Sequence, residues 1–203
     1  MRRRRSPEQA RTELLDAAES LFRDEPPDQI GLVAIAKKAG VSHALITHYF
    51  GTYDGLVEAV FERRTKTLRD RVLDRLSNGG NVGDAGELVD LLFTTFEDPV
   101  HLRLQKWIVA SERPHTEFTF HNQGLSLVAD LVTKVLNPNA PAAVKKQVEN
   151  ILMVTVATAF GYASTKQTLA ASVGREPGTA IDKDVRRTLT EMIQSYLHVT
   201  IRR

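Results

Sequence analysis

Two short helical patterns separated by only three residues constrain the fold of this chain more than any other feature. Apolar residues of the first pattern share one face, at Leu32, Ile35, Ala36 and Ala39. Gly40 follows, and glycine best adopts the left-handed conformation that ends a helix. Ser42 is a suitable cap for the next helix. Helices joined so closely cannot run antiparallel and must cross steeply, which predicts a helix-turn-helix.

Another helix is expected before this pair. Ser6, Pro7 and Gln9 form the capping-box pattern, with proline at the first helical position. The spacing of one buried stripe is then followed by Leu14, Ala17, Ala18, Leu21 and Phe22. The segment "DEPPD" ends the pattern. The sequence therefore predicts a first helix that starts near Pro7 and buries one face.

The helix after Ser42 is expected to have one buried and one outward face. The residues expected to pack against the first helix are Ile46, Tyr49 and Phe50. The residues then left outside are His43, Ala44, Leu45, Thr47 and His48. The segment 29–53 contains Lys37 and Lys38 but no Asp or Glu, although the formal net charge of the chain is only +2. Because a helix N-terminus attracts anions, we predict that this face lies against a polyanion.

The remainder of the chain also has helical spacing, with no strand-like alternation. Helices are predicted from residue 52 to the glycine-rich segment "SNGGNVGDAG", over "ELVDLLFTTF" and "VHLRLQKWIVA", and at about 114–136, 142–172 and 182–201. The last two have wide apolar faces, which favours their pairing with a second copy in a four-helix dimer interface. The alternative is that both pack inside their own monomer.

Several classes of site and location are disfavoured by composition. With no cysteine, the chain has no disulfide or thiolate metal site, and we expect a cytoplasmic location. The N-terminus lacks the apolar core of a signal peptide, and residues 151–163 fall short of the roughly 20 apolar residues that span a bilayer. The spacing of the six histidines indicates no metal site, and no nucleophile motif appears. We therefore expect no membrane association, metal, cofactor or enzyme activity.

Four segments together are similar to the N-terminal domain of the TetR family of bacterial transcriptional repressors. They are "LLDAAESLF", "IAKKAGVS", "HYF" and the linker "GTYDGL", within the first fifty or so residues. The resemblance implies an all-α fold of about nine helices. An N-terminal three-helix helix-turn-helix DNA-binding domain, residues 1–52 with the arginine arm, would be followed by a larger helical ligand-binding and dimerisation domain at 53–203.

The resemblance also implies which residues meet DNA. The recognition-helix positions are Ser42, His43, Ala44, Leu45, Thr47 and His48. Two further predicted DNA contacts nearby are Lys37 and Tyr53. The departures from the usual family pattern are Gly31, Ala44, Leu45, Thr47 and Tyr53. Leu45 cannot hydrogen-bond a base edge, so if exposed it would meet a thymine methyl, which suggests A/T-containing half-sites.

A basic arm precedes the first helix, at Arg2, Arg3, Arg4 and Arg5. One interpretation is that it enters a neighbouring minor groove. The other is a solvated tail. If the arm binds phosphates, its deletion should lower the slope of log affinity against log salt by about 0.9 for each lost phosphate contact.

A small-molecule site is predicted around "LRLQKWIVASERPHTEFTFHNQG". The predicted lining residues are Arg103, Trp107, Phe118, His121 and Asn122, because aromatic walls with a few polar groups are typical of ligand pockets. The same residues also suit an ordinary helical core. The predicted function is a ligand-responsive regulator, most simply a repressor, which binds an inverted-repeat operator in double-stranded DNA as a homodimer. A helical small-molecule binding protein without specific DNA recognition is the alternative.

Overall fold

The computed structural model describes residues 6–77, 85–111 and 124–201, and these residues form nine α-helices, one short 3-10 helix and no strand. The helices are α1 (Pro7–Phe22), α2 (Leu32–Ala39), α3 (His43–Phe50), α4 (Tyr53–Ser77), α5 (Ala85–Glu97), α6 (Pro99–Ala110), α7 (Gly124–Leu136), α8 (Ala142–Ser172) and α9 (Thr179–Ile201). The 3-10 helix, Pro27–Gln29, lies between α1 and α2. The all-α prediction is confirmed, while the predicted helical residues 114–123 lie outside the described part.

The helices gather into two compact units. Of the described residues, the first unit contains 6–66 and 99–111, and the second contains 67–77, 85–98 and 124–201. The first half of α4 and all of α6 thus share a core with α1, α2 and α3. These two units are defined by how the helices pack. The expected boundary between a DNA-binding domain and a ligand-binding domain after residue 52 concerns function, and it stays a prediction.

The first unit is built on α1, which packs against α2 and α6, while α2 packs against α3. The Ser6 hydroxyl accepts the Gln9 N–H at 3.2 Å, and the Gln9 side chain accepts the Ser6 N–H at 3.1 Å. This is the predicted capping box. The predicted stripe of α1 is buried at Leu14, Ala17, Ala18 and Phe22, with Leu21 half-buried. Burial of that stripe gives α2 and α3 a fixed surface on which to pack.

Arg63 ties α4 to α1 within this unit. Its guanidinium donates to Asp16 at 2.7 Å and to Glu19 at 3.2 Å, and Arg64 lies 3.6 Å from the second Glu19 oxygen. These groups are partly exposed, so each pair contributes modestly to stability, on the order of 1 kcal/mol or less. Their effect is to orient α4 where it leaves the helix-turn-helix.

The second unit is centred on α8, which packs against α5, α7 and α9, while α9 also packs against α5. The core between α5, α8 and α9 includes Phe93, Phe96 and Tyr162. Arg186 donates to Asp90 at 3.2 Å and to Glu97 at 2.5 Å, with its guanidinium carbon 5.3 Å from the centre of the Phe93 ring. Among the described helices, none combines the length and apolar character needed to cross a membrane.

Candidate nucleic-acid interface

The turn between α2 and α3 has the geometry that the sequence predicts. Gly40 takes the left-handed conformation, with φ 64° and ψ 39°, and donates its N–H to the carbonyls of Ala36 and Lys37. The Val41 N–H donates to the Ala36 carbonyl at 3.0 Å. These bonds end α2, and α3 begins three residues later at His43. The helix-turn-helix is therefore present.

Ser42 occupies the cap position of α3 without the expected side-chain bond. Its backbone is extended, with φ −78° and ψ 149°, but its hydroxyl makes no capping hydrogen bond. Its carbonyl accepts the Leu45 N–H at 3.1 Å. The sequence identified the position correctly and the capping bond wrongly. The amides of the first turn of α3 have no side-chain cap, and an incoming phosphate oxygen suits such groups.

The outward face of α3 largely follows the prediction. The exposed residues are His43, Ala44, Thr47 and His48, beside exposed Ser42. Leu45 is half-buried, so it presents less surface than an outward position was expected to show. On the opposite face Ile46 is fully buried, while Tyr49 and Phe50 are half-buried against the first core. The helix is thus anchored by its apolar face and leaves imidazole and hydroxyl groups in solvent.

Basic side chains adjoin this face at the end of α2. Lys37 and Lys38 lie in the last turn of α2 and are both exposed. Within the part of the chain that the structure describes, neither forms an ion pair. Since segment 29–53 contains no Asp or Glu, its own charge favours an anionic partner.

Tyr53 has a partner inside the protein. Its hydroxyl donates to the Pro27 carbonyl, and its ring packs against the first core. Burial raises the pKa of Tyr53, and the charges of Asp28 and Asp54 raise it further. A phosphate oxygen would need to accept a hydrogen bond from the Tyr53 hydroxyl. That hydroxyl has one proton, and it already donates this proton to the Pro27 carbonyl. The predicted contact of Tyr53 with DNA stays a prediction, and its visible role is to hold the start of α4 beside the α1–α2 connection.

Gly55 is a positioning residue that the sequence reading missed. Its N–H donates to the Thr52 hydroxyl at 3.0 Å at the start of α4. A Cβ at residue 55 would lie 2.2 Å from the Phe50 carbonyl oxygen, and because this is a backbone atom, the junction itself would have to shift. The close approach fixes how α3 leads into α4. A glycine inside a helical pattern is the available signal, but it does not reveal which group lies opposite.

Only two residues of the predicted ligand site fall in the described part. Arg103 and Trp107 both lie on α6, where Arg103 donates to the Phe22 carbonyl at 3.1 Å and also to the Arg23 carbonyl. Trp107 is half-buried against the first core. The other predicted lining residues, Phe118, His121 and Asn122, lie outside the described residues, as does the arginine arm, Arg2 to Arg5. Across residues 6–77, 85–111 and 124–201, no three His, Asp or Glu side chains form a group able to hold a metal ion.

Comparison with known proteins finds a matching sequence profile and several similar transcriptional regulators. The sequence profile described as "Bacterial regulatory proteins, tetR family" matches residues 14–60. The HTH-type transcriptional regulator BetI of Cronobacter sakazakii is 34% identical over 100 residues, which cover 48% of this chain and 50% of BetI. This match thus spans half the length of that curated relative. An HTH-type transcriptional regulator of Mycobacterium tuberculosis is 28% identical over 148 residues, 70% of this chain and 71% of the relative.

Solved structures extend the likeness to the whole fold. A tetR-family transcriptional regulator from Streptomyces coelicolor has a TM-score of 0.63 at 20% identity and covers 95% of this chain and 82% of its own. The fatty acid degradation regulator FadR from Bacillus halodurans has a TM-score of 0.61 at 16% identity, with coverage of 88% and 97%. At such identities the likeness concerns the fold alone. In residues 14–60, the matched profile and the helix-turn-helix make this chain similar to the bacterial regulatory proteins of the tetR family.

Proposed function

We propose that the protein is a cytoplasmic, ligand-responsive repressor that binds an inverted-repeat operator as a homodimer. The observation that carries this proposal is the exposed face of α3, which is held by buried Ile46 and adjoins exposed Lys37 in a segment without carboxylates. In a helix-turn-helix, the second helix enters the major groove with its N-terminal residues against the base edges. The uncapped amides at the start of α3 would bind a phosphate.

The side chains of α3 divide into two groups by chemistry. His43, Thr47 and His48 can donate or accept hydrogen bonds, so they suit base edges or phosphates. Half-buried Leu45 can offer only apolar contact, for which a thymine methyl is the natural partner. A two-fold dimer would place two copies of α3 in successive major grooves, so the half-sites should lie about one helical turn apart or slightly more.

Exposed apolar residues on α8 and α9 support the homodimer. Met153 and Val154 on α8 are 53% and 58% exposed, and Met192 and Tyr196 on α9 are 63% and 47% exposed. Met192 and Tyr196 are one helical turn apart and lie on one side of α9. Apolar groups left in solvent on adjacent helices favour burial against a second copy, which agrees with the predicted four-helix interface.

The proposed switch is a shift between two conformations of the dimer. A small-molecule effector that binds more tightly when the two α3 helices are wrongly spaced would lower the affinity for the operator. An effector that binds both conformations equally would change nothing. The proposed repression is therefore relieved only if the effector has different affinities for the two conformations of the dimer.

Fluorescence anisotropy of the purified protein on a labelled fragment of its own upstream DNA tests the proposal. At near-physiological salt we expect that fragment to bind at least ~10³-fold more tightly than a scrambled fragment of equal length. The double variant His43→Ala/Thr47→Ala should lose most of this preference. Thr12→Ala, which changes an exposed threonine on α1, is the matched control.

Equal weak binding of both fragments would contradict the proposal for that DNA. Fragments covering the neighbouring genes would then be tested in the same assay. If none bound specifically, the protein would instead be a helical small-molecule binding protein without DNA recognition. A full loss of specificity in Thr12→Ala would mean that the loss in the α3 variant does not come from missing base contacts.

A further inference from the structure

A groove in the first unit lies between α6 and the connection from α1 to α2. Its volume is about 500 Å³, and it is lined by Pro26, Asp28, Arg103, Lys106, Trp107 and Ser111 among others. This volume falls in the range of small-molecule sites, about 300–1,000 Å³. The residues at 103, 106 and 107 face it together because residues three and four apart share one side of a helix. The groove is thus large enough to hold a small ligand.

The groove combines one flat apolar wall with an excess of positive charge. Trp107 provides the half-buried aromatic surface, and Arg103 and Lys106 provide two cations against the one carboxylate of Asp28. Among the described residues, neither cation forms an ion pair with a carboxylate. A ligand with a flat apolar body and one negative charge satisfies both features.

Arg103 is already held in place, whereas Lys106 is not. The Arg103 guanidinium donates to the carbonyls of Phe22 and Arg23 at the end of α1, where a cation is favoured by the helix dipole. Lys106 is exposed and can turn toward a ligand. Lys106 is therefore the better partner for an incoming anion, while Arg103 contributes charge and connects α6 to α1.

We propose that this groove binds a small amphipathic carboxylate, with Trp107 against its apolar body and Lys106 against its carboxylate. Its walls come from α6 and from the segment that leads into α2 of the helix-turn-helix. An occupant that contacts both walls favours one spacing between them, so it biases the position of the helices that would meet DNA. This effect on DNA binding rests on the proposed function, whereas ligand binding itself does not.

The test uses 2-naphthoate as the probe and the neutral 2-naphthamide as its matched control. The chain has one tryptophan, so the indole N–H resonance of Trp107 in a ¹⁵N-labelled sample is a single signal that reports on the groove. We expect 2-naphthoate to shift this signal in a saturable manner. The neutral 2-naphthamide should bind at least about fivefold more weakly, because it lacks about one charge-assisted contact near the surface. Lys106→Gln should weaken naphthoate binding by a similar factor.

Two further variants make the assignment specific. Asp28→Asn removes the opposing carboxylate and should tighten naphthoate binding. Lys146→Gln removes an exposed lysine of α8 in the second unit and should leave the affinity unchanged. Equal binding of 2-naphthoate and 2-naphthamide, an affinity unchanged in Lys106→Gln, or no shift of the Trp107 signal would overturn the proposed site.

The link to DNA is measured separately. In the anisotropy assay, saturating 2-naphthoate should change operator affinity for the wild type and Lys146→Gln, and change it less for Lys106→Gln. Naphthoate binding that leaves DNA affinity unchanged would overturn the coupling and keep the binding site. Absence of operator binding in every condition would contradict the proposed function, while the resonance titration would still decide whether the groove binds a carboxylate.

Discussion

Gly40 and Gly55 are both constrained by the backbone, but for different reasons. Gly40 has a positive φ of 64° with nothing within 4 Å of an added Cβ. We predict that Gly40→Ala lowers the free energy of unfolding by about 1 kcal/mol, the conformational cost of a left-handed alanine. Gly31→Ala, at a negative φ of −97° with open space around it, should change stability by less. Urea unfolding followed by Trp107 fluorescence reports on this unit; equal losses in both variants would contradict the conformational explanation.

Gly55→Ala should be the more harmful change. Its added Cβ would lie 2.2 Å from the Phe50 carbonyl oxygen, so the junction of α3 and α4 must shift. We predict a loss of about 2–3 kcal/mol in the same unfolding experiment, the usual range for strong overpacking. Since this junction positions α3, specific DNA binding should fall as well. A stability equal to that of Gly40→Ala would show that the junction relaxes easily.

The two glycines also show what the sequence could predict at single residues. Gly40 lies after an apolar face and before a serine, so local pattern alone predicts its left-handed conformation. Gly55 lies within a helix, and its constraint comes from a carbonyl five residues earlier whose position depends on the turn between the helices. Tyr53 is similar: its hydrogen bond to Pro27 spans 26 residues, and no local spacing could predict it.

Tyr162 provides a prediction about pH. Its hydroxyl donates to Asp182 at 2.7 Å, and burial, this hydrogen bond and the Asp182 charge raise the pKa of Tyr162 from 10.0 to about 12. The folded state therefore holds this proton more tightly than the unfolded state. The resulting stabilisation is fully present below about pH 10 and is lost as the pH rises toward about 12.

Tyr162→Phe should lose this part of the pH dependence. Compared with the wild type, the variant's free energy of unfolding should fall less steeply above about pH 10. Urea unfolding at a series of pH values, followed by circular dichroism, measures the two slopes. Asn139→Ala changes an exposed, non-ionisable residue just before α8 and should retain the wild-type slope. Identical slopes for Tyr162→Phe and the wild type would contradict the role of this hydroxyl.

At the scale of helices, local patterns predicted most of what the structure shows. The start of α1, the end of α2 and the buried face of α3 follow from caps and apolar spacing, because these depend on residues at most one or two turns apart. The contacts of Arg186 with Asp90 and Glu97 join residues 96 and 89 positions apart. Such contacts depend on which helices become neighbours, and apolar spacing leaves that choice open.

The capping box of α1 gives a prediction at this scale. Ser6→Ala removes the hydroxyl that accepts the Gln9 N–H and should lower the stability of the first unit by about 1 kcal/mol. Thr12→Ala, at an exposed position within α1, should be neutral or slightly stabilising, because alanine favours the helix. Urea unfolding followed by Trp107 fluorescence compares the stability of the two variants. If Ser6→Ala left the free energy of unfolding unchanged, the capping box would not contribute to the stability of the first unit.

At the scale of the whole molecule, the apolar faces of α8 and α9 show a limit of sequence analysis. Apolar spacing predicts which residues share a face, but it does not predict what that face packs against. Val154 and Met192 lie on the wide apolar faces of these helices, and they are 58% and 63% exposed. Val148 and Leu152, from the same apolar pattern, are buried inside the chain. A wide apolar face can thus serve two surfaces at once, one within the chain and one that the proposed homodimer would bury.

Like charges on the proposed interface should prevent association of the two copies. In Val154→Glu/Met192→Glu, a two-fold dimer would bury four added carboxylates in an apolar contact, which is strongly unfavourable. We expect dimer affinity to fall by more than about tenfold, which corresponds to ~1.4 kcal/mol. Sedimentation equilibrium over a range of concentrations measures this change.

The control for this variant is Val109→Glu, which alters a valine that is 54% exposed on α6 and should leave the dimer intact. Circular dichroism should show that all variants keep their helical content. Operator affinity should fall in the double variant, because a monomer brings only one α3 helix to a two-fold site. If the double variant stays folded and dimeric, the dimer interface must lie elsewhere. If it is a monomer that binds the operator with undiminished affinity, operator binding does not require a homodimer.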